Sequence, residues 1–450
     1  MNDVPQGATG TLTDDGSETG GGGSPVGSPW TMVTILSVLS FISLLDRQIF
    51  ALAVDPIRQE LGFSDLDIGV IQGLGFAAFY AMCGLPIGML VDRFSRRKIL
   101  LLGVGLWGVA TALTGLATTF AQMFMARMAL GLGEATVNPC SYTMIADRFS
   151  RDKLTVPMSV FSTAQIVGAG MSIVAGGTLL HWLMHQPPVI LPLVGYLSAW
   201  RLMFLYAALP ALMGIVLVKW LREPPRTRWS ANVTPKLIPC IKAKWPVMLC
   251  HFCGFTAIQV MMATTGFWNL PYMARAFHWS PTQIGLGYGS MLLIVMICGN
   301  LIASRIIDRR LKRGARATHF FWFATCALLA IPLTLASYAA TNPMLFLLPT
   351  AAYLALLAGY PAAAAASLQN LVSPLLRGRM TALYVMFSSV MGYGFGPMMV
   401  GLTNRFLFGD DDHLNGSLAI LSAFSLTMGA SFLFVGAFLS ERVGARAQSL

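Results

Sequence analysis

Four charged residues stand inside long apolar runs of this sequence and are its candidates for chemistry. Asp46 and Arg47 interrupt the first run, and Arg127 and Glu134 interrupt a later one, within the stretch RMALGLGEA. Placing an ionised side chain in hydrocarbon costs about 2.5–3.5 kcal/mol even on the insertion scale, so such residues usually face a cavity and carry function. A carboxylate can exchange a proton, and a guanidinium binds phosphate or carboxylate through two parallel hydrogen bonds. The four residues therefore predict proton transfer and anion binding.

Helix geometry orders these charges by depth. Arg127 and Glu134 are separated by nearly two turns, so they share one helical face with about 10 Å between them along the axis. Asp46 lies about two turns before the end of its run, and Arg127 lies about two turns after the beginning of its own. If the two runs cross a membrane in opposite directions, Asp46 and Arg127 lie at similar depth. Glu134 then lies one layer deeper, toward the cytoplasm.

The composition is that of a membrane protein. The chain has 450 residues, of which 55% are hydrophobic and only 11% are charged, against about 25% charged in an ordinary soluble domain. Apolar stretches of about 20 residues, long enough to span hydrocarbon as helices, recur along nearly the whole chain. We predict an all-α protein with 12 transmembrane helices in a cell membrane, the inner membrane in a bacterium. The stretches are 30–54, 67–91, 98–117, 120–146, 154–183, 200–221, 246–274, 281–307, 317–339, 343–372, 378–406 and 416–440.

The basic residues predict the orientation. Most of the 30 lysines and arginines lie in alternate loops, such as DRFSRRK, DRFSRDK and SRIIDRRLKRGAR. Loops rich in Lys and Arg stay on the cytoplasmic side, so both chain ends are expected to be cytoplasmic. The net charge of +11 is then explained by loops that face anionic lipid, and we expect membrane lipids rather than nucleic acid as partners.

A polar, proline-rich stretch divides the predicted helices six and six. We expect a disordered cytoplasmic arm over 1–29, a six-helix bundle over 30–221, a cytoplasmic linker over 222–245, a second six-helix bundle over 246–441 and a cytoplasmic tail over 442–450. Two related bundles that handle a substrate between them are typical of secondary transporters.

The motifs of enzymes and metal sites are missing from the sequence. There is no G-x-S-x-G nucleophile elbow, no Walker A loop and no Cys/His ligand set. Cys250 and Cys253 form a C-x-x-C spacing, but within an apolar helix and without further ligands they are interpreted as packing residues. We expect no enzymatic activity, no cofactor, no metal and no ATP-driven mechanism.

The stretch GLPIGMLVDRFSRRK at 84–98 resembles the signature of the Major Facilitator Superfamily, which lies between its helices 2 and 3. The matching positions include Asp92, Arg93 and Arg96, and Ser95 replaces the second glycine of the pattern. The resemblance implies the fold of that superfamily, a monomer, and a gating role for these charges in the rocking of the bundles. Asp308 and Arg309 are the expected counterparts in the second half.

Two further stretches, SLLDRQIFALAVDPIRQELGFSD and RMALGLGEATVNPCSYTMIAD, resemble the Spinster branch of that superfamily. Eukaryotic members of the branch are linked to sphingosine-1-phosphate and lysophospholipids. In the superfamily fold, helices 1 and 4 line the central cavity, so the resemblance together with the depths given above implies an Asp46–Arg127 pair.

The resulting hypothesis is proton coupling. Glu134 is the preferred proton carrier, Asp46 holds or releases Arg127, and Arg127 meets an anionic head group; for Arg47, substrate binding and a structural role are equally open. A buried network that merely clamps the two helices is the alternative. Glu134 and Asp46 are thus the proton-coupling residues, and Arg127 and Arg47 the substrate-binding ones.

Three functions remain open from the sequence. The first is a proton-coupled carrier of a small amphipathic, lysolipid-like substrate with an anionic head, because the second half lacks deep charges and offers apolar side chains such as Phe267 and Trp268. The second is a multidrug or organic-anion carrier, which the absence of a proline among the glycines of AQIVGAGMSIVAGG disfavours. The third is a non-transporting receptor of the same fold.

Overall fold

The computed structural model describes residues 28–149, 153–187, 189–191, 195–225, 237–314, 317–372 and 376–446. Residues 1–27 of the predicted arm, 226–236 of the predicted linker and 447–450 of the predicted tail lie outside these ranges. The described chain is helical apart from one antiparallel hairpin of strands β1 (Val189–Leu191) and β2 (Gly195–Leu197).

The described residues of the N-terminal half form nine α-helices and one π-helical segment, Ile71–Ala78. In order they are α1 Pro29–Leu52, α2 Val54–Leu61, α3 Asp65–Val70, α4 Phe79–Arg93, α5 Arg96–Leu116, α6 Phe120–Glu134, α7 Val137–Arg148, α8 Thr155–Met184 and α9 Ala199–Trp220.

The C-terminal half repeats this plan with π-helical segments at Ile284–Gly289, Val390–Phe395 and Asn404–Phe408. Its α-helices are α10 Leu237–Phe277, α11 Pro281–Gln283, α12 Ser290–Lys312, α13 Thr318–Tyr338, α14 Pro343–Leu357, α15 Tyr360–Leu371, α16 Arg377–Ser389, α17 Gly396–Thr403 and α18 Leu414–Arg446.

The two halves begin their second long helix in the same way. Ser64 caps α3 by accepting a hydrogen bond from the Asp67 amide, and the Asp67 carboxylate accepts one back from the Ser64 amide. Ser280 and Gln283 form the same reciprocal box at the start of α11. Each box satisfies helix-end donors that would otherwise stay unpaired, and each is followed by a π-helical segment. The internal repeat is therefore built into local backbone chemistry.

Prolines explain where two long apolar stretches bend. Pro139 has no amide hydrogen to donate to the Ala135 carbonyl four residues earlier, and the predicted stretch 120–146 is divided there into α6 and α7. Pro361 acts in the same way between α14 and α15. Glu134, the last residue of α6, consequently lies at a helix end rather than in mid-helix.

Eleven helices of the described residues are long and apolar enough to cross a membrane. They coincide with the predicted stretches except for 120–146, whose two helices of 15 and 12 residues are each shorter than a span. The fold is thus an all-helical membrane bundle, and the total of twelve spans and the orientation of the ends stay predictions.

Three apolar cores hold the helices together. One lies within the N-terminal half, around Trp107 and Phe161, and one lies within the C-terminal half, around Phe255 and Phe323. The third joins the halves at the end of the bundle remote from Pro29 and Arg446, which we call the distal end. We refer to α1–α9 as the N-terminal bundle and to α10–α18 as the C-terminal bundle.

Candidate functional site

Asp46 is held in the core of the N-terminal bundle by α5. Its Oδ2 accepts hydrogen bonds from Trp107 Nε1 at 2.7 Å and from Thr111 Oγ1 at 2.5 Å, and the residue is almost fully buried. Trp107 and Thr111 are four residues apart on α5, so both donors lie on one helical face and converge on one oxygen. Asp46 Oδ1 has no hydrogen-bond partner within the described part of the chain.

Arg47, on the next helical position, forms the ion pair of the site. Its Nη2 lies 2.8 Å from Glu134 Oε2, and its guanidinium lies over the rings of Tyr80 and Phe76, at 4.7 and 5.0 Å from their centroids. The Glu134 side chain is fully buried, whereas 21% of the Arg47 side chain is exposed. The ion pair therefore connects a buried carboxylate to an accessible surface through one guanidinium.

Arg127 is completely buried and faces aromatic rings. Its Cζ lies 3.9 Å from the Phe50 ring centroid and 5.4 Å from that of Phe204. Its three guanidinium nitrogens have no hydrogen-bond partner among the residues described here. The buried cation is therefore stabilised by ring faces and by the charges of Asp46 and Glu134 rather than by a hydrogen bond.

The predicted Asp46–Arg127 pair is present only as an interaction between charges. The two residues lie close enough for their charges to interact, but no hydrogen bond or ion pair joins them in the described structure, and Arg47 is the arginine that pairs with a carboxylate, that of Glu134. Asp46 and Arg47 project about 100° apart on α1, so a modest rotation of α1 decides which of them faces α6. Spacing along a helix fixes depth but not this rotation.

A cavity of about 330 Å³ lies between the two bundles, and Arg47 is on its wall. Asp46, Arg127 and Glu134 are not among its lining residues. Polar side chains that sequence reasoning missed complete the wall: Gln48, Gln72 and Tyr80 on the N-terminal bundle. Gln48 directly follows the Asp46–Arg47 pair in an apolar run, which is the one signal that could have found it.

The opposite wall of the cavity is neutral. It carries the tyrosines Tyr288, Tyr360 and Tyr393 among apolar residues such as Met262 and Phe267. Of the apolar side chains named from the sequence, Phe267 lies on this wall. One wall therefore offers a guanidinium and amides, and the other offers rings, hydroxyls and apolar side chains.

Behind the neutral wall, Asn269 of α10 organises the C-terminal bundle. Its Nδ2 donates to the hydroxyls of Tyr288 and Tyr353 at 3.1 and 3.2 Å, and its Oδ1 accepts from the Tyr338 hydroxyl at 2.8 Å. All four residues are almost fully buried. This network ties α10, α13, α14 and the π-helical segment Ile284–Gly289 together, and a single asparagine in an apolar run is the one sign of it in the sequence.

The predicted gating residues lie at the end of the bundle nearest Pro29. Arg96 is buried, pairs with Asp147 of α7, and lies 3.2 Å from Glu223 Oε1 through its Nε. Burial alone would raise the pKa of Glu223, but hydrogen bonds from Ser95 and from Arg96 hold that pKa below its ordinary value. Arg96 therefore fastens α5 to α7 and to the segment after α9.

The other predicted gating residues have a different environment. Asp92, Arg93, Asp308 and Arg309 are all exposed, at the ends of α4 and α12. Asp92 takes part in an interaction. Their gating role stays a prediction.

The chain is similar to membrane transport proteins. The model of the Major Facilitator Superfamily matches residues 36–270. An MFS-type efflux pump of Mycolicibacterium smegmatis is 25% identical over 388 residues, which cover 85% of this chain and 86% of that protein. Protein spinster homolog 1 of Xenopus tropicalis is 25% identical over 397 residues, covering 83% and 72% of the two chains.

The fold has a solved counterpart. A bacterial homologue of the human lysosomal transporter Spinster, in an inward-facing and unoccupied conformation, superposes with a TM-score of 0.77 at 21% identity, covering 92% of this chain and 97% of that one. The resemblance to the superfamily that the sequence motifs indicated is confirmed, as is the likeness to Spinster proteins. The protein is a multi-pass membrane transport protein and not an enzyme, and it belongs to the Major Facilitator Superfamily.

Proposed function

We propose that the protein is a proton-coupled secondary transporter of amphipathic molecules with an anionic head group. The observation that carries the proposal is the Arg47–Glu134 ion pair, which reaches the central cavity through Arg47 alone. A guanidinium that already binds one carboxylate can bind a phosphate or carboxylate of a ligand with the same geometry. Glu134 loses its partner in that exchange.

Replacement of Glu134 by the ligand at Arg47 couples ligand binding to the uptake of a proton. When an anionic head group binds Arg47, the ion pair with Glu134 is broken. Glu134 stays buried in apolar surroundings, where an uncompensated charge is costly. Uptake of one proton by Glu134 removes that charge. Arg127, which lies nearby without a fixed partner, compensates whichever of Asp46 and Glu134 is ionised. Because its guanidinium is fully buried, Arg127 acts behind the cavity wall, and head-group binding falls to Arg47.

The neutral wall accounts for the other end of the ligand. Tyr288 and Tyr360 stand among Met262 and Phe267, and methionine and aromatic side chains adapt to apolar chains of varied shape. A lysolipid-like molecule, with one charged end and one apolar end, matches this division of the cavity. The likeness to a mouse sphingosine-1-phosphate transporter, 30% identical over 172 residues that cover 36% of this chain, supports the same class.

The transport cycle follows from the superfamily. We propose that twelve spans form two six-helix bundles over 30–221 and 246–441, with both termini cytoplasmic and the protein acting as a monomer. The bundles then rock about the cavity and expose it alternately to each side of the membrane. Proton binding at Glu134 and ligand binding at Arg47 decide which orientation is favoured.

Ligand-induced stabilisation tests the head-group assignment. The purified protein is heated in detergent with lysophosphatidic acid, lysophosphatidylcholine, sphingosine-1-phosphate, soluble organic anions or cationic drugs. A ligand at about 100 times its Kd adds about 2.7 kcal/mol to the stability of the native state. We expect anionic lysolipids to raise the melting temperature of the native protein and of Arg47→Lys, but not of Arg47→Gln.

Two results would contradict the assignment. Equal stabilisation of Arg47→Gln by anionic lysolipids would remove Arg47 from the head-group site. Stabilisation by cationic drugs alone would favour the second candidate, a multidrug carrier, for which the full-length likeness to an efflux pump is the supporting observation. No stabilisation by any compound, in a protein that unfolds cooperatively, would favour a receptor for another ligand.

Proton coupling has its own test. In proteoliposomes, an imposed pH gradient should drive a fluorescent anionic lysolipid across the membrane in the native protein. Glu134→Gln cannot carry the proton, so we expect the gradient-driven component to vanish while exchange of labelled for unlabelled ligand persists. A Glu134→Gln variant that still responds to the gradient would exclude Glu134 as the carrier.

A further inference from the structure

A chain of four hydrogen-bonded side chains in the N-terminal bundle ends at Tyr80, on the wall of the central cavity. Gln165 Nε2 donates to Ser40 Oγ at 2.9 Å and to Asn138 Oδ1 at 2.7 Å. Asn138 Nδ2 in turn donates to the Tyr80 hydroxyl oxygen at 3.1 Å. Tyr80 lines the cavity, whereas Asn138 and Gln165 are not among its lining residues. The two amides, which we call the amide pair, therefore act from behind the wall.

Irregular backbone positions both ends of the hydrogen bond between Asn138 and Tyr80. Asn138 is the second residue of α7 and directly precedes Pro139, where the long apolar stretch bends. Tyr80 is the second residue of α4 and follows the π-helical segment Ile71–Ala78. A π-helical turn accommodates one residue more than an α-helical turn, so it rotates the side chains that follow by about 100°. A regular helical repeat in the sequence therefore does not bring these two side chains together.

The hydrogen bonds give the amide pair one direction. Gln165 uses its amide hydrogens for Ser40 and for Asn138. Asn138 consequently accepts with its oxygen and donates with its nitrogen. The Tyr80 oxygen receives that hydrogen bond, so the Tyr80 proton is not used by Asn138. Within the described part of the chain, no hydrogen bond has the Tyr80 hydroxyl as its donor.

Tyr80 lies directly beside the guanidinium of Arg47. Its ring centroid is 4.7 Å from Arg47 Cζ, and its ring stacks on that of Phe76 with 6.1 Å between the centroids. These two contacts fix the orientation of the ring and therefore the position of the hydroxyl at its edge. Arg47, Phe76 and Tyr80 all line the cavity. A guanidinium and a hydroxyl proton are thus available to the same group of a bound ligand.

We propose, on the basis of the anionic-head-group transporter described above, that the Tyr80 hydroxyl is a second donor of the head-group site and that Asn138, held by Gln165, keeps its proton available to the ligand. A hydrogen bond to an ionised oxygen is stronger than one between neutral groups. If Tyr80 donated to Asn138 instead, it would present only lone pairs to the cavity and would disfavour an anion. Asn138 and Gln165 are therefore positioning residues that act through Tyr80.

This arrangement distinguishes ligands by the hydrogen bonds that their head groups can form. Phosphate and carboxylate oxygens accept hydrogen bonds from both Arg47 and Tyr80, whereas an ammonium group can only donate. A site built to donate rejects a ligand that cannot accept, because its own donors then stay unpaired. The direction of the amide pair therefore favours anionic over cationic amphiphiles.

Binding of lysophosphatidic acid, measured by calorimetry on the purified protein, tests the contact with the ligand. Tyr80→Phe keeps the ring beside Arg47 and removes only the hydroxyl. Because the lost hydrogen bond involves a charged group, we expect the Kd to rise about tenfold to a hundredfold. Tyr142→Phe is the matched control, since Tyr142 belongs to α7 and is not among the residues that line the cavity. Its Kd should equal that of the native protein.

Two substitutions of Asn138 separate the direction of the hydrogen bond from its presence. Asn138→Asp keeps nearly the same shape but can only accept, so the Tyr80 proton turns toward it and is lost to the ligand. We expect Asn138→Asp to weaken binding as much as Tyr80→Phe does, and Asn138→Leu to weaken it less. In the double variant Tyr80→Phe/Asn138→Asp the two losses should not add. A new charge that merely repels the ligand would weaken binding in the double variant as well, and the losses would then add.

Raman spectroscopy determines the direction of the hydrogen bond without any ligand. The intensity ratio of the tyrosine ring doublet is high when the hydroxyl accepts a hydrogen bond and low when it donates one. The difference spectrum between a protein and its Tyr80→Phe variant isolates Tyr80 among the 11 tyrosines. We expect a higher ratio for Tyr80 in the native protein than in Asn138→Asp.

The outcomes distinguish failure of this inference from failure of the proposed function. Equal Raman ratios in the native protein and in Asn138→Asp, both monodisperse and unfolding cooperatively, would overturn the role of Asn138 whether or not a ligand binds. A Tyr80→Phe variant that binds lysophosphatidic acid as tightly as the native protein does would overturn the contact with the ligand. Absence of binding to the native protein would contradict the proposed substrate class and the contact with it, and the Raman ratios would still decide the direction of the amide pair.

Discussion

The two bundles fill their interiors with different kinds of polar group. In the N-terminal bundle the buried polar centre consists of Asp46, Arg127 and Glu134, and each of them has at least one polar atom without a partner among the described residues. In the C-terminal bundle the centre is Asn269 with three tyrosines, and both amide hydrogens and the carbonyl oxygen of Asn269 are bonded.

This difference indicates which bundle can change its state. A neutral network in which every donor and acceptor has a partner has one favourable arrangement, and any departure strands a buried group. Three charges whose polar atoms are not all paired can adopt several arrangements, and a proton or an anion can select among them. We interpret the N-terminal bundle as the part that switches and the C-terminal bundle as the part that stays rigid.

The largest expected effect concerns Arg127. Arg127→Ala leaves Asp46 and Glu134 without the nearby cation, and removing one partner of a buried charge network costs about 3–5 kcal/mol. We expect a large loss of thermal stability. Arg127→Lys, which keeps the charge, should recover most of it. A thermal unfolding scan that gave the two variants equal stability would show that charge compensation is not the role of Arg127.

The second largest effect is expected in the C-terminal bundle, at Asn269. Asn269→Ala removes the hydrogen-bond partner of three tyrosine hydroxyls, and each buried group without a partner costs about 1–3 kcal/mol. The loss of stability should not depend on pH between 5 and 8, because the network is neutral. Thermal unfolding at several pH values checks this. A strongly pH-dependent loss of stability would contradict the interpretation that the network around Asn269 is neutral.

A smaller effect is expected at one member of that network. Tyr338→Phe removes the hydroxyl that donates to Asn269 Oδ1, which should cost about 1 kcal/mol. Binding of anionic lysolipids should be unaffected, since Tyr338 is not among the residues that line the cavity. Tyr360→Phe, on the wall itself, is the matched comparison, and only it should alter ligand-induced stabilisation.

The smallest effect lies at the fixed charges near the termini. The pKa of Glu223 is lower in the folded protein than its ordinary value, so its ionised form stabilises the fold above that ordinary value. The contribution is lost as the pH falls through the lowered pKa. The stability difference between the native protein and Glu223→Gln should thus be small at pH 7 and should shrink toward zero as the pH falls below the lowered pKa of Glu223. A difference that grew on acidification would contradict the pairing with Arg96.

Much of the fold follows from the sequence because lipid requires apolar helices of defined length. The four deep charges were also identified, since charge is rare in such helices. Their partners could not be derived, because Trp107 and Thr111 are ordinary residues of a membrane helix until α5 is placed against α1. The choice between Asp46 and Arg47 as the neighbour of α6 depends on a rotation that no periodicity fixes.

The burial of Asp65 could not be predicted from the sequence. It follows a serine cap, where acidic residues are common because they stabilise the helix end, so nothing in the local sequence marks it as part of a site. Its burial depends on an ion pair with Arg275, which lies 210 residues away in the sequence. A local pattern can explain why an aspartate is allowed there but not that a second bundle closes over it.

The hydrogen bond from Trp107 Nε1 to Asp46 Oδ2 makes the indole ring a probe of the Asp46 carboxylate. The indole ring is joined directly to a carboxylate that the proposed cycle leaves free to change its charge, so the ring senses that charge. The vibrational frequency of the indole N–H and the ¹⁹F chemical shift of a fluorinated ring both respond to the strength of the hydrogen bond. Comparison with Trp107→Phe would assign the signal among the ten tryptophans. The protein thus contains a spectroscopic reporter within its charge network, placed there by two residues of α5.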